Sequence, residues 1–401
     1  MIKALRGMKD SLPPESEKYL YFLEHTIDIV RKYGYGYIET PLLEETALFK
    51  RSVGESSDIV GKEMYQFTDK GGNDVCLRPE GTAGVVRSFI EHKLDRIGGI
   101  HRFFYYGPMF RYERPQKGRF RQFRQFGVES FGEASFYEDA NVIMMLKEIL
   151  DFFKIPFTLK LNTLGCQDCL PPFREDLVRF LGDIEDGLCE DCIRRKGTNP
   201  IRVFDCKNEK CQELLIEAPR LGEALCTVCD THFSHLTRIL DRLGITYEID
   251  PNLVRGLDYY NRTAFEFVSD ALGAQNAVAG GGRYDRLVEF LGGRATPAIG
   301  FAIGVERIIE MIELPSKERE GYYFGALCEE ALPLLFEIAQ KQRKTDRVTM
   351  QYQAKSLKAH LKAADKASAR YCMIIGEEEL ANNTIWVKDL LEKSEEIRSL
   401  G

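Results

Sequence analysis

The chain has 401 residues, of which 44% are hydrophobic and 29% are charged, and its formal net charge is −7 at pH 7. A chain of this length usually divides into two or three domains, and this composition is typical of an ordinary soluble globular protein. The basic first residues lead into no apolar stretch, and no run approaches the roughly eighteen apolar residues of a membrane-spanning helix. We therefore expect a cytoplasmic protein with no membrane partner.

Basic residues are concentrated in two stretches, although the whole chain is acidic. Seven Lys or Arg stand against one Glu between Arg102 and Arg124, and nine stand against two Asp between Lys341 and Cys372. Local charge, rather than the average, decides whether a polyanion can bind. The net negative charge therefore does not exclude a nucleic acid as a binding partner.

The first 160 residues mix helical and extended patterns. Residues 20–31 repeat apolar side chains at helical spacing, and residues 35–41 are typical of a strand that a proline ends. Two strand-like runs, His101 to Phe110 and Gln122 to Phe131, enclose a loop rich in Arg and Gln. This order predicts an antiparallel hairpin with a polar tip.

Residues 161–244 differ in character, and we interpret them as a small inserted domain. Eight of the eleven cysteines lie here, as the pairs Cys166/Cys169, Cys189/Cys192, Cys206/Cys211 and Cys226/Cys229. In a reducing compartment such spacing favours metal ligands over disulfides, and four pairs suffice for one or two tetrahedral structural zinc sites. The alternative is a set of reduced, partly buried thiols that hold no metal.

Strand patterns resume after residue 245. They cover residues 246–253 and 263–268, and a glycine run at residues 280–282 precedes a strand-to-helix pattern over residues 298–312. The charged, proline-containing residues 313–320 predict a linker. Alternating strand and helix patterns then predict a small α/β domain over residues 321–401.

Three arginines stand where an anion could bind. Arg111 opens the hairpin loop, Arg255 precedes a glycine that permits close approach, and Arg307 lies near the start of an apolar helix. The guanidinium group matches phosphate oxygens, so together they predict a polyphosphate clamp, although each alone is more often a surface ion-pair residue. The chain has neither a dinucleotide fingerprint nor a P-loop, so an ATP site would lie on an antiparallel sheet.

The acidic side of such a site would come from Glu80, beside Thr82, and from Glu129. A ligand with an amino group needs a carboxylate and a hydroxyl nearby, and Tyr259 and Tyr260 could enclose it. The alternative is that both glutamates pair with the arginines.

These residues stand in longer segments that carry a resemblance over nearly the whole chain. The segments are RGMKD, GYIETPLLEETALF, DIVGKEMYQFTD, LRPEGTAGVVR, GPMFRYERPQKGRFRQFRQFGVESFG, LVRGLDYYNRTAFEF, AGGGRYDRLVEFLGG and AIGFAIGVERI. In these segments the chain resembles the bacterial histidyl-tRNA synthetases, which are class II aminoacyl-tRNA synthetases. The resemblance implies an α+β fold with an antiparallel-sheet catalytic core (1–160 and 245–315), the Cys-rich insertion (161–244) and an α/β anticodon-binding domain (321–401).

The resemblance also implies an activity and partners. L-histidine would react with ATP, in the presence of Mg²⁺, to give histidyl-adenylate, and the histidyl group would pass to the 3′ end of tRNA(His). The enzyme would be a homodimer.

Site residues follow from the resemblance as well. Arg111 and Arg255 would hold the α-phosphate and Arg307 the γ-phosphate of ATP, with Glu113 beside them. Histidine would be bound by Glu80, Gly81, Thr82, Gln125, Glu129, Tyr259, Tyr260 and Tyr284. Transfer RNA would be contacted by Arg114 and Gln116 at the hairpin tip and by Lys355, Lys358 and Lys362, which with Lys366 follow one helix face, unless that face is merely solvated.

One departure from the family pattern is visible, because Arg124 stands where the family commonly has His. We expect no change of activity from it. Two other functions are possible: a regulatory subunit of histidine biosynthesis that resembles the synthetase, and an RNA-binding module without catalysis. The first should lack both the anticodon-binding domain and the RGLDYY arginine, and this chain has both.

Overall fold

The structure, a computed structural model, describes residues 2–54, 57, 59–116, 118–272, 277–316 and 318–400. Two compact units divide the chain, Met1–Glu313 and Leu314–Gly401. Asp58, Lys117 and Lys317, which belong to segments considered above, lie outside the described residues. Within the described ranges, no helix combines the length and the apolar character needed to cross a membrane.

The first unit alternates helices and strands. Its helices are α1 Glu15–Lys32, α2 Thr46–Val53, α3 Thr82–Glu91, α4 Phe136–Phe152, α5 Leu170–Asp183, α6 Glu190–Thr198, α7 Glu209–Leu214, α8 Thr227–Arg242, α9 Leu287–Phe290 and α10 Val305–Met311. Its strands are β1 Gly36–Tyr37, β2 Leu43–Glu45, β3 Tyr65–Thr68, β4 Asp74–Leu77, β5 His101–Phe110, β6 Gln122–Phe131, β7 Thr158–Thr163, β8 Glu248–Ile249, β9 Asn261–Val268, β10 Ala277–Arg283 and β11 Ala298–Gly304.

A mostly antiparallel sheet forms the centre of this unit. Among the described residues its strand order is β1-β5-β6-β11-β10-β9-β7-β8, and only the short outer strands β1 and β8 pair in parallel. Strands β5 and β6 pair along their whole length, from His101 opposite Phe131 to Phe110 opposite Gln122, which confirms the predicted hairpin. The α+β class is confirmed as well.

Alternation along β6 gives the sheet two different faces. Phe126 and Val128 point into the main core, which the helices α1, α4, α8 and α10 cover, for example with Phe22 and Leu146. Each such buried side chain contributes about 1.5–3 kcal/mol, so this helical layer fixes the sheet. Because successive side chains point to opposite faces, Gln125 and Glu129 lie on the other side.

Two predicted strands are shorter than expected. Strand β1 covers two residues of the predicted 35–41, and β8 covers two of the predicted 246–253. Each is followed within a few residues by a proline, Pro41 or Pro251, which has no N–H to donate. The predicted boundary between residues 160 and 161 falls within β7, so the extent of the inserted domain stays a prediction.

The second unit contains a five-stranded sheet in the described part of the chain. Its strands are β12 Tyr322–Ala326, β13 Val348–Met350, β14 Tyr371–Ile375, β15 Thr384–Asp389 and β16 Glu395–Ser399, and its helices are α11 Leu332–Gln342, α12 Leu357–Lys366 and α13 Glu377–Ala381. The order is β13-β12-β14-β15-β16, with the first three strands parallel. This arrangement agrees with the predicted alternation of strands and helices.

Candidate active site and cysteine clusters

A cavity lies on the face of the sheet that the main helical layer leaves uncovered; we call it the arginine cavity. Small residues on the central strands, Gly280 of β10 and Ala302 of β11, form part of its wall and pair with each other across the strands. Side chains of this size leave room above the sheet. Gln125 and Glu266 stand on flanking strands of the same face.

The structure brings Arg111, Arg255 and Arg307 to the wall of this cavity. Arg111 Nε donates to the Pro79 carbonyl at 2.9 Å. The Arg307 guanidinium donates to the Ala277 carbonyl. Burial, together with nearby positive charge, lowers the pKa of Arg307. Three cations from distant points of the chain therefore share one concave surface, where an anionic ligand would reduce their mutual repulsion.

Arg255 is held by an acidic partner that the sequence analysis missed. Its Nη1 donates to Glu266 Oε1 at 2.9 Å, and its side chain is 18% exposed. Glu266 lies between two buried phenylalanines on β9, so a lone carboxylate in an aromatic strand was the available signal. Arg119 also lines the cavity and pairs with Glu113 at 3.1 Å, which places the predicted Glu113 there too.

Glu80 is almost fully buried and caps a helix. Its carboxylate accepts hydrogen bonds from the backbone N–H groups of Thr82 at 2.6 Å and Ala83 at 2.9 Å, at the start of α3. These bonds go to the backbone rather than to an arginine, and burial raises the pKa of Glu80. Both Glu80 and Thr82 line the arginine cavity.

Glu129 lies behind the wall formed by Thr82. It accepts hydrogen bonds from the Thr82 hydroxyl at 2.7 Å and from the Tyr284 hydroxyl, and burial raises its pKa to about 8. The residues found to line the cavity include neither Glu129 nor Tyr284 nor Gly81, which packs against the Tyr105 ring. Their predicted contact with histidine stays a prediction.

Several buried polar atoms at the cavity lack a partner among the described residues. They are Gln125 Oε1, the Tyr259 hydroxyl and Arg255 Nε. The Tyr260 ring lies against the Tyr259 ring, with centroids 4.6 Å apart and the ring planes tilted by 40°. Since buried polar groups are nearly always hydrogen-bonded, atoms of this kind at one cavity indicate a polar ligand.

The predicted transfer RNA contacts lie at surfaces. Arg114 and Gln116 are exposed at the hairpin tip, where Gln116 pairs with Arg119. In the second unit, Lys358 and Lys362 are exposed on α12.

The predicted helix face was wrong for Lys355. Ser356 is the N-cap of α12, its side chain accepting a hydrogen bond from Ala359 N, so the helix begins after Lys355. Lys355 is exposed in the segment that precedes the helix.

The eight paired cysteines gather into two groups of four. The proximal cluster is Cys166, Cys169, Cys226 and Cys229, and the distal cluster is Cys189, Cys192, Cys206 and Cys211. Within each cluster the sulfur atoms lie within 4.8 Å of one another. Cys226 N donates to Cys169 Sγ and Cys189 N donates to Cys211 Sγ, both at 3.2 Å. Four converging thiols match a tetrahedral thiolate site.

Comparison with known proteins bears on the identity of this site. A family model described as Histidyl-tRNA synthetase matches residues 7–169 and 206–308, and one described as Anticodon binding domain matches residues 315–400. The chain is 66% identical over 394 residues to the histidine–tRNA ligase of a Nitratiruptor species, covering 98% of this chain and 97% of that protein.

Two further relatives point to the same family. The histidine–tRNA ligase of Sulfurimonas denitrificans is 62% identical, with 98% of each chain covered. The crystal structure of apo S. aureus histidyl-tRNA synthetase superposes with a TM-score of 0.84 at 34% identity, covering 100% of this chain and 98% of that one. The chain therefore belongs to the histidyl-tRNA synthetase family.

Proposed function

We propose that the arginine cavity is the place where this enzyme, a histidine–tRNA ligase, joins L-histidine to ATP before the histidyl group passes to tRNA(His). The observation that carries the proposal is the common cavity of Arg111, Arg255 and Arg307 beside unpartnered Gln125 and Tyr259. The regulatory-subunit alternative is not supported, since the relatives at 62–66% identity that match almost the whole chain are named histidine–tRNA ligases.

In the first step, a carboxylate oxygen of histidine attacks the α-phosphorus of ATP. A new P–O bond forms, the bond to the β-phosphate oxygen breaks, and pyrophosphate leaves. No side chain needs to act as a nucleophile, so positioning and charge stabilisation supply the catalysis. Arg111 and Arg255 would stabilise charge on the α-phosphoryl oxygens, and Arg307 would hold the γ-phosphate.

Synthetases of this family use ATP with Mg²⁺, which supplies positive charge to the phosphates when bound. The Glu113 carboxylate lines the cavity beside Arg111 and offers the oxygen ligand that this cation prefers. We assign Glu113 to this role.

Histidine would occupy the part of the cavity between Thr82, Gln125 and the tyrosine pair. The Gln125 oxygen can accept from an imidazole N–H, and the Tyr259 hydroxyl can donate to or accept from a polar group of histidine. A wrong side chain would leave these buried atoms unpaired, which allows discrimination by about 10⁴-fold. Glu80 would attract the amino group, and Glu129 with Tyr284 would hold Thr82 in place.

The surfaces suggest how the larger partners bind. Arg114 and Gln116 would reach the acceptor end of tRNA, while Lys355, Lys358 and Lys362 would contact phosphates near the anticodon. The side chains of Tyr37, Leu42, Leu43 and Phe67 are apolar and exposed, which fits a homodimer contact. Sedimentation would test the homodimer, which should have twice the 45.9 kDa mass of one chain.

Cell fractionation would test the cytoplasmic location, where tRNA and reduced thiols occur together.

The two cysteine clusters would each hold a structural zinc ion. Because each cluster supplies four thiols, no open coordination position is left for catalysis. Protein purified without added metal should contain about two equivalents of zinc. A content below about half an equivalent would refute the proposal.

The site assignment is tested by replacing Arg255 with Ala and measuring histidine-dependent pyrophosphate exchange. Removal of a group that stabilises transition-state charge should slow exchange by about 10²-fold or more. Arg286→Ala is the matched control, because Arg286 is 45% exposed and pairs with Glu289 away from the cavity. Near-normal exchange in a folded Arg255→Ala enzyme would contradict the assignment.

A further inference from the structure

The distal cluster encloses a stretch of chain that contacts the loop bearing Arg255. Between Cys192 and Cys206 the chain completes α6 and passes through a short 3-10 helix, Pro200–Asp205. Asn199, just before that helix, and Arg202, within it, both point towards residues 254–260, which we call the Arg255 loop. The Arg255 loop is therefore contacted by side chains that stand a few residues before Cys206 in the chain.

Two hydrogen bonds make the connection. Arg202 Nη2 donates to the Gly256 carbonyl at 2.6 Å, and Asn199 Nδ2 donates to Asp258 Oδ1 at 2.8 Å. The first acceptor, Gly256, directly follows Arg255, and the second, Asp258, lies three residues after Arg255. The Arg255 loop has no strand or helix of its own, so contacts of this kind set its backbone path.

The donor side of this connection depends on the cysteines. Cys189 is the N-cap of α6 and Cys206 is the C-cap of the 3-10 helix, so the cluster fixes both ends of the stretch that carries Asn199 and Arg202. Arg195 Nη1 of α6 also donates to the Arg202 carbonyl at 3.1 Å, which packs the two helical pieces together. The 3-10 helix is also anchored by Val203, which is fully buried in an apolar cluster that includes Cys192 and Cys206, so the cysteines form part of the core that holds this stretch.

The proximal cluster shares that apolar cluster through Cys169 and Cys229, but it is also tied to the main core. Cys226 is the N-cap of α8, and Leu236 and Leu240 of that helix belong to the main core. Its loss should therefore act on the stability of the unit as a whole. The family model leaves residues 170–205 unmatched, and these include two cysteines of the distal cluster together with both donors.

We propose that a metal ion in the distal cluster, zinc by its four-thiol chemistry, positions Arg255 through Asn199 and Arg202. Arg202 is a positioning residue, since it touches the Gly256 backbone and not the reacting atoms. The inference rests on the proposed role of Arg255 at the α-phosphate. Loss of this metal displaces a catalytic guanidinium without touching it.

The first experiment separates the two clusters. Cys206→Ser should lose one of the two zinc equivalents and lower kcat of pyrophosphate exchange by about tenfold or more, with KM for histidine changed less. Hydrogen exchange of peptides covering residues 254–260 should rise in the same variant. Cys169→Ser is the comparison. This variant should lose zinc from the proximal cluster, and in its folded fraction the peptides covering residues 254–260 should stay protected from hydrogen exchange.

The second experiment leaves both metal sites intact. Arg202→Ala should keep its zinc, lower kcat by a similar factor and expose residues 254–260 to hydrogen exchange, whereas Arg202→Lys should recover part of both losses by donating to the Gly256 carbonyl. Arg179→Ala is the matched control, since Arg179 is 74% exposed on α5 and pairs with Asp176.

These experiments distinguish an error in the positioning role of Arg202 from an error in the proposed function. Wild-type kcat and unchanged hydrogen exchange at residues 254–260 in Arg202→Ala would overturn the positioning role. If Arg255→Ala itself exchanges pyrophosphate normally, the proposed site is wrong, whatever the zinc content. If the wild-type distal cluster contains no zinc, the metal assignment alone is wrong. The positioning role of Arg202 is tested separately, because the Arg202→Ala experiment does not depend on bound zinc.

Discussion

At the scale of one residue, Gly280 shows how tightly Arg255 is fitted against the sheet. It lies on β10 at the cavity, and a Cβ added there would collide with the Arg255 guanidinium. The backbone of β10 is extended at this position and needs no special conformation, so glycine is required by the close approach alone. The glycine run, weak as a sequence motif, therefore has a specific role here.

Gly280→Ala should lower pyrophosphate exchange by about tenfold or more, because the methyl group would move the Arg255 guanidinium away from its proposed position at the α-phosphate. The unfolding temperature should hardly change, since the colliding atoms are the far end of a flexible side chain. Gly222→Ala, where an added Cβ meets nothing within 4 Å, is the control for the substitution itself. Unchanged exchange in Gly280→Ala would mean that Arg255 can act from a displaced position.

Strand β6 and helix α10 are joined at Arg124, the residue that departs from the family pattern. The Glu306 carboxylate accepts the Arg124 backbone N–H at 2.9 and 3.0 Å, and the Arg124 guanidinium lies 3.4 Å from it. The guanidinium also lies over the Tyr19 ring, 4.5 Å from its centroid. The stronger part of this junction uses backbone, which any residue supplies.

Arg124→His should therefore cost less than about 1 kcal/mol of unfolding free energy and leave exchange unchanged, because the Arg124 side chain is 34% exposed and water screens its pairing with Glu306. Glu306→Ala should cost more, about 1–3 kcal/mol, because it leaves the half-buried Arg124 backbone N–H without this acceptor. Urea unfolding of both variants measures the difference. A larger loss in Arg124→His than in Glu306→Ala would reverse this ranking of the two contacts.

At the scale of elements, strong local patterns were predictable and long-range associations were not. The bounds of β5 and β6 agree with the predicted runs, because alternation and aromatic residues mark both strands. The grouping of cysteine pairs was open, since Cys166 and Cys226 are sixty positions apart and spacing says nothing about which pairs meet. Glu266 lies only eleven positions after Arg255 and was still missed, because their contact is visible only in the folded sheet.

At the scale of the whole molecule, the proposed catalytic residues and many of the predicted RNA-binding residues lie in different units. The three arginines belong to the first unit, and the lysines of α12 belong to the second. A chain of net charge −7 can still bind RNA, because these positive groups are concentrated. The two activities should consequently respond independently to mutation.

The double variant Lys358→Glu, Lys362→Glu should raise KM for tRNA in aminoacylation while leaving pyrophosphate exchange unchanged. The salt dependence of tRNA binding should become shallower by about one in log–log slope for each phosphate that the protein no longer neutralises. Lys393→Glu, an exposed charge reversal in the same unit, is the control. An unaltered KM for tRNA would show that α12 is only a solvated helix.

The most direct measurement is a crystal structure of the chain with ATP and the unreactive alcohol analogue of histidine. In this structure the triphosphate should lie within hydrogen-bond distance of Arg111, Arg255 and Arg307, with the imidazole against Gln125 and Tyr259. A nucleotide bound elsewhere, or held by only one of these arginines, would contradict the proposed site.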